Sequence, residues 1–121
     1  MATPNLVNID TITPVLDAGA ITTSRANIID VTAEFVAKVN SLIIANIDGS
    51  NAADVTVEVS VNNGSNYFAI AKTVSVPADA SIVIIGRDNF LYLDETDLLA
   101  VTASADDDLT YAVSYELIKD A

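Results

Sequence analysis

Apolar and polar residues alternate with a period of two along several stretches of this chain. In residues 55–61, VTVEVSV, all four valines would lie on one face of a β-strand, and β-branched side chains favour that conformation. Asn62, Asn63 and Gly64 then tolerate the positive φ of a short hairpin turn. The chain returns through residues 67–76 until Pro77, which cannot donate to a strand ladder. The pattern predicts an antiparallel hairpin.

The same criteria predict further strands on both sides of this hairpin. They cover residues 35–47, 80–85, 90–93, 98–105 and 109–118, and another strand is predicted within residues 20–31. The last of the five ranges places Tyr111, Val113, Tyr115 and Leu117 on one face. Because no segment has a convincing amphipathic helical pattern, we predict an all-β fold. Its expected form is an antiparallel β-sandwich or jelly roll of seven or eight short strands.

Two segments suggest contacts with neighbouring molecules. Residues 1–19 contain Pro4 and Pro14 and fit the strand pattern poorly, so they predict an extended arm preceding a β-sandwich domain at residues 20–121. The run NSLIIAN at residues 40–46 is apolar on both faces, which is typical of a strand that is covered on both sides or lies at a subunit contact. The interface candidates are Leu42, Ile44, Val83 and Ile85.

The charge balance excludes two classes of partner. Seventeen acidic residues and five basic ones give a formal net charge of −12. The basic residues are scattered and form no stripe, so nucleic acid and anionic membranes would be repelled. No apolar run reaches the roughly 18–20 residues that span a membrane, and the N-terminus does not resemble a secretory signal. The acidic residues also keep a Val- and Ile-rich β protein soluble.

Few residues of this chain could perform catalysis. It contains no histidine and no cysteine, which removes the usual nucleophile–base pairs and the preferred transition-metal ligands. Two carboxylates could formally hydrolyse glycosides, but the acidic residues cluster in turns, and we expect no enzyme activity. We also expect no cofactor. The alternative is a calcium site at Asp106, Asp107 and Asp108, with Asp94, Glu95 and Asp97 as further ligands, although the spacing matches no EF-hand.

Three segments along residues 39–118 carry a family resemblance: VNSLIIANIDGSNAADVTVEVSV, AKTVSVPADASIVIIG and LYLDETDLLAVTASADDDLTYAVSYELI. In this order they resemble small virion proteins of tailed bacteriophages, particularly marine and cyanobacterial ones. Those proteins share the patterns NxDG, NAAxVTV, VSVPA with a later Gly, LYLxExDxLxVTASA and SYE. The matching positions are Asn46, Asp48, Gly49, Gly86 and residues 51–57, 74–78, 91–95, 101–105 and 114–116. These positions are turns and core, and none is catalytic.

The resemblance implies a β-sandwich or jelly-roll module located in the virion and made in the cytoplasm of the host bacterium. The leading hypothesis is a capsid decoration (cement) protein that binds the major capsid protein, as a homotrimer, and stabilises the shell. The alternative is a neck or tail adaptor or fibre-attachment module. A third hypothesis is a carbohydrate-binding module for the host surface, with a stacking platform drawn from Tyr67, Phe68, Phe90, Tyr92, Tyr111 and Tyr115.

Overall fold

A computed structural model describes residues 8–61 and 63–120 of the chain. Within these residues the chain forms nine β-strands and one 3-10 turn. The strands are β1 (Ile9–Ile21), β2 (Ala26–Asp30), β3 (Phe35–Asn46), β4 (Ala53–Ser60), β5 (Tyr67–Val76), β6 (Ser81–Ile85), β7 (Leu91–Leu93), β8 (Leu98–Ala103) and β9 (Leu109–Asp120), and the 3-10 turn is Arg87–Asn89.

The strands form two antiparallel sheets that enclose a single core. Sheet A has the order β1-β9-β3-β6, and β7 pairs with β3 beside β6, whereas sheet B has the order β2-β8-β4-β5. The chain crosses repeatedly between the two sheets. The two strand orders, with β7 set beside β6, are those of a jelly roll. The predicted all-β sandwich is confirmed.

The core lies between the sheets because alternate residues of each strand point inward. In β4, Val55 and Val57 are fully buried, whereas Thr56 and Glu58 on the opposite face are only half-buried. Inward residues of both sheets join one apolar cluster, which includes Ile21, Leu42, Ile44, Ile85, Val55, Val57, Leu99 and Val101. Burial of this cluster is the main force that holds the two sheets together.

The turn predicted between β4 and β5 is present. Asn63 and Gly64 have φ angles of 50° and 88°. Both values lie in the left-handed region that asparagine and glycine adopt most easily. Asn62, the other residue of the predicted turn, lies outside the described residues.

The N-terminal segment differs from its prediction as an arm. Residues 9–19 belong to β1, which pairs with β9 from Ile9–Asp120 to Ile21–Leu109. β1 has a neighbour on one side only and its first six residues are exposed, so its sequence does not need to alternate. Pro14 is also compatible with such an edge strand. The domain boundary predicted at residue 20 therefore falls inside a strand, and residues 1–7 lie outside the described residues.

Candidate functional site

The outward surface of sheet A is unusually apolar. Residues that lie directly opposite each other on paired strands share a face of the sheet. The register places four rows on the outward side: Pro14, Glu116, Lys38 and Tyr92; Leu16, Ser114 and Ser41; Ala18, Ala112, Ile43 and Val83; and Ala20, Thr110, Ala45 and Ser81. We call the surface formed by these four rows the apolar face.

Large apolar side chains project from this surface into solvent. Leu16 is 74% exposed, Val83 is 65% exposed and Ile43 is 39% exposed, whereas the neighbours of Ile43 in β3 are completely buried. Single exposed apolar residues are common in folded proteins, but contiguous ones indicate an interaction surface.

A depression lies between the third and fourth rows of the apolar face. It has a volume of about 510 Å³ and is lined mainly by the alanines of three adjacent strands, with Gly19, Ile43, Thr110 and Tyr111 completing its walls. On the inward side of the sheet, a Cβ at Gly19 would lie 3.4 Å from the Tyr111 ring, which packs against the core. The Tyr111 hydroxyl donates to Asp17 Oδ2 at 2.9 Å, which holds the ring against β1.

The charged residues of the apolar face form one balanced pair. Lys38 and Glu116 are opposite each other on β3 and β9, and no other charged residue belongs to the four rows. Lys38 Nζ also lies 5.0 Å from the centre of the Phe90 ring, which packs edge-to-face against Tyr92. The apolar face is therefore formally neutral on a chain whose net charge is −12.

Sheet B presents a different outward surface, which is polar and internally paired. Arg25 Nε donates to Glu58 Oε1 at 2.9 Å, and the Arg25 guanidinium stacks 3.9 Å from the centre of the Tyr67 ring. The Tyr67 hydroxyl donates to Asn27 Oδ1 at 3.0 Å. These groups satisfy one another, and the exposed large apolar side chains of the sheet B strands are Phe68 and Ile70 on β5.

Three of the four predicted interface residues are core residues. Leu42 and Ile44 are completely buried and Ile85 is 2% exposed, so these three predictions are corrected; Val83 lies on the apolar face. For Leu42 and Ile44 the physical reason is an irregularity in the register of β3 between Val39 and Ser41, which changes the side of the sheet to which the following residues point. As a result Ile43, rather than its two neighbours, faces solvent. For Ile85 the reason is a second irregularity, between β3 and β6.

The acidic turn between β8 and β9 has a structural role at one end of the sandwich. Asp106 Oδ1 accepts a hydrogen bond from the Thr23 backbone N–H at 2.9 Å, which ties this turn to the β1–β2 turn. The Asp108 carbonyl accepts from the Ile47 N–H at 2.8 Å. Asp107 has a φ of 69°, as a tight turn requires. Among the described residues, no three or more acidic side chains are placed so that they could hold a metal ion.

Asp48 and Asp108 form a pair whose two members titrate differently. Asp48 accepts from the Ser50 backbone N–H at 2.9 Å, and this bond is the main cause that lowers the pKa of Asp48. Partial burial, followed by the charge and hydrogen bond of Asp48, raises the pKa of Asp108. As the pH falls, Asp108 therefore takes up a proton before Asp48 does.

The acidic residues between β7 and β8 are likewise part of the fold. Glu95 Oε2 accepts from the Glu34 N–H at 2.6 Å, and Asp97 Oδ2 accepts from the Asp94 N–H at 2.8 Å. Burial is the main cause that raises the pKa of Asp97. These contacts close a turn and do not converge with residues 106–108 on one site.

The aromatic residues do not form one stacking platform. Tyr92 belongs to the apolar face and Phe90 lies against it, Tyr67 stacks on Arg25, and Tyr111 and Tyr115 pack against the core. Phe68 is 56% exposed on β5, in sheet B.

No helix among the described residues has the length and apolarity that crossing a membrane requires.

Comparisons with known proteins support the fold. No protein-family model matches the sequence, and no curated protein matches it. A structure of Bacillus endospore appendages, described as a novel family of disulfide-linked pili, matches with a TM-score of 0.53 and 13% identity, over 91% of this chain and 87% of that chain. This likeness extends to the fold alone.

Two structures of a pentameric capsid protein isolated from metagenomic phage sequences also match. Each has a TM-score of 0.41 and 14% identity, and each match covers 96% of this chain. The matches cover 62% of one capsid chain and 67% of the other. These TM-scores are below the level at which a common fold is inferred.

Proposed function

We propose that this protein is a structural subunit of a bacteriophage virion that acts through surface contacts. The observation that carries the proposal is the apolar face, because an uncovered neutral surface with Leu16 and Val83 projecting from it is costly in water unless a partner covers it. A small acidic jelly roll with such a surface is suited to an assembly in which many copies make the same contact.

The chemistry of the chain supports this role over a catalytic one. Histidine and cysteine are absent from the sequence, and Asp106 and Asp97 in the acidic turns accept hydrogen bonds from backbone N–H groups. We propose that the protein is not an enzyme and needs no cofactor. Chelation of calcium should therefore leave its melting temperature unchanged.

Within the virion we propose decoration of the outer shell, with the major capsid protein as partner. The support is the sequence resemblance over residues 39–118, whose shared positions build the jelly roll described above. A neck or tail position is the alternative. A carbohydrate-binding role is less favoured, because the exposed aromatic residues are dispersed over separate surfaces.

The proposal is tested by measuring the copy number of this chain in purified virions. Quantitative mass spectrometry against the major capsid protein should give a ratio near one or a large simple fraction of it. A ratio of a few per cent would overturn decoration and favour the neck or tail. Absence from the particle would overturn the virion role itself.

A further inference from the structure

We propose that the partner that covers the apolar face is the same face of a second copy of this chain. Two copies would stack with their sheets A in contact, related by a two-fold axis. This inference deepens the proposed structural role, because it names one of the contacts on which assembly depends.

The charge distribution favours a second copy at this surface. Two molecules that each carry a net charge of −12 repel one another over most approaches. The apolar face is neutral, and its Lys38 and Glu116 are complementary to themselves after a two-fold rotation. The Lys38 of one copy can then lie near the Glu116 of the other, and the reverse pair follows by symmetry.

The shape of the apolar face is also complementary to itself after a two-fold rotation. It carries both a depression lined by alanines and projecting side chains, of which Leu16 and Val83 are the most exposed. Leu16 lies one row from the depression, and Val83 lies in the row that crosses it. In a two-fold stack, a projecting side chain of each copy can enter the depression of the other, as occurs between the inner faces of packed sheets.

The size of the apolar face fits a small specific contact. Its four rows span residues 14–20 of β1 and reach across four strands. At about 3.3 Å per residue and about 4.8 Å between strands, this surface measures roughly 23 Å by 19 Å. Stacking would cover roughly 440 Å² on each copy, which lies at the low end of specific interfaces, where contacts are weak.

A two-fold contact is complete with two copies. The homotrimer expected from the resemblance would instead require two different patches on each copy. The mass of the protein in solution therefore discriminates between the two arrangements, with the single chain at 12.7 kDa.

The inference is tested by sedimentation equilibrium of the full chain at about 1 to 200 µM, with Leu16→Asp and Val83→Asp as variants. Both positions are exposed in the single chain, so circular dichroism should show that each variant keeps the fold. The wild type should sediment as a dimer. Each substitution should raise the dissociation constant at least about 100-fold, because a carboxylate would be buried in an apolar contact.

Phe68→Asp is the matched control, because Phe68 is a similarly exposed apolar residue on sheet B. This variant should dimerise as the wild type does. A wild type that is monomeric at all concentrations, a trimer, or a dimer that Phe68→Asp disrupts equally would overturn the inference. A monomer that is nevertheless abundant in virions would leave the proposed function standing, whereas a dimer absent from virions would overturn only that function.

Discussion

At the scale of single residues, Asn46 shows what one residue of the NIDG turn does physically. Its side chain is 3% exposed and fully hydrogen-bonded. Nδ2 donates to the Asn51 and Val76 carbonyls, both at 2.9 Å, and Oδ1 accepts from the Asp48 N–H at 2.8 Å. One amide thus joins the end of β3, the following loop and the end of β5. The sequence marked this position as a turn but not as a buried connection.

We predict that Asn46→Ala lowers the free energy of unfolding by about 2 to 4 kcal/mol, because buried backbone groups lose their partners. Urea denaturation measures the effect. Asn66→Ala, at an exposed position, is the control and should change stability by less than about 0.5 kcal/mol. A loss below about 1 kcal/mol for Asn46→Ala would show that water replaces the amide.

Asp108 provides a pH-dependent prediction. Its folded-state pKa is raised, so the protonated carboxyl stabilises the fold, and this contribution is lost as the pH rises through the folded pKa. At pH 7 the wild type therefore carries repulsion between Asp108 and Asp48. Asp108→Asn removes the charge and retains a donor for the Asp48 carboxylate, so we expect a melting temperature a few degrees above the wild type.

This gain should shrink as the pH falls toward the ordinary aspartate value of about 3.9, because the wild-type carboxyl becomes protonated. Thermal melts of both proteins between pH 7 and about pH 3.9 measure how the gain changes. Asp107→Asn, in the same turn, is the control and should give a smaller gain. An equal gain for Asp108→Asn at every pH would contradict the raised pKa of Asp108.

At the scale of whole elements, the interior strands were predicted well and the edge strand β1 was not. The bounds of β3 agree with the prediction to within one residue, and those of the other interior strands, β4, β8 and β9, to within two. These strands bury side chains against the core, so their sequences must place apolar residues at the inward positions. β1 receives its order mainly from backbone pairing with β9, and backbone pairing does not depend on side-chain type.

We therefore predict that deletion of residues 1–19 lowers the melting temperature by at least about 10 °C or prevents folding, since β9 would lose all but two residues of its neighbour on one side. Circular dichroism of the truncated chain measures this. A chain that lacks only residues 1–7 is the control, because it loses residues that precede β1 and keeps the strand itself. Equal melting temperatures for the 1–19 deletion and the full chain would support an arm instead.

At the scale of the whole molecule, the two sheets divide the surface between them. Sheet B turns its paired polar groups outward, and the acidic turns lie at the ends of the sandwich, whereas sheet A presents the apolar face. This asymmetry is invisible in the overall composition, which reports only a strongly acidic chain. It makes directed assembly compatible with solubility, because long-range repulsion is retained everywhere except at one neutral surface.

The amino-acid sequence by itself determined the all-β class, the turn at Asn63 and Gly64 and the lack of histidine and cysteine chemistry. These properties depend on local conformational preference and on which side chains exist. Only the tertiary structure decided that Leu42 and Ile44 point into the core while Ile43 and Val83 face solvent. The physical reason is that strand pairing and a register irregularity assign side chains to faces, and both involve residues far apart in the chain.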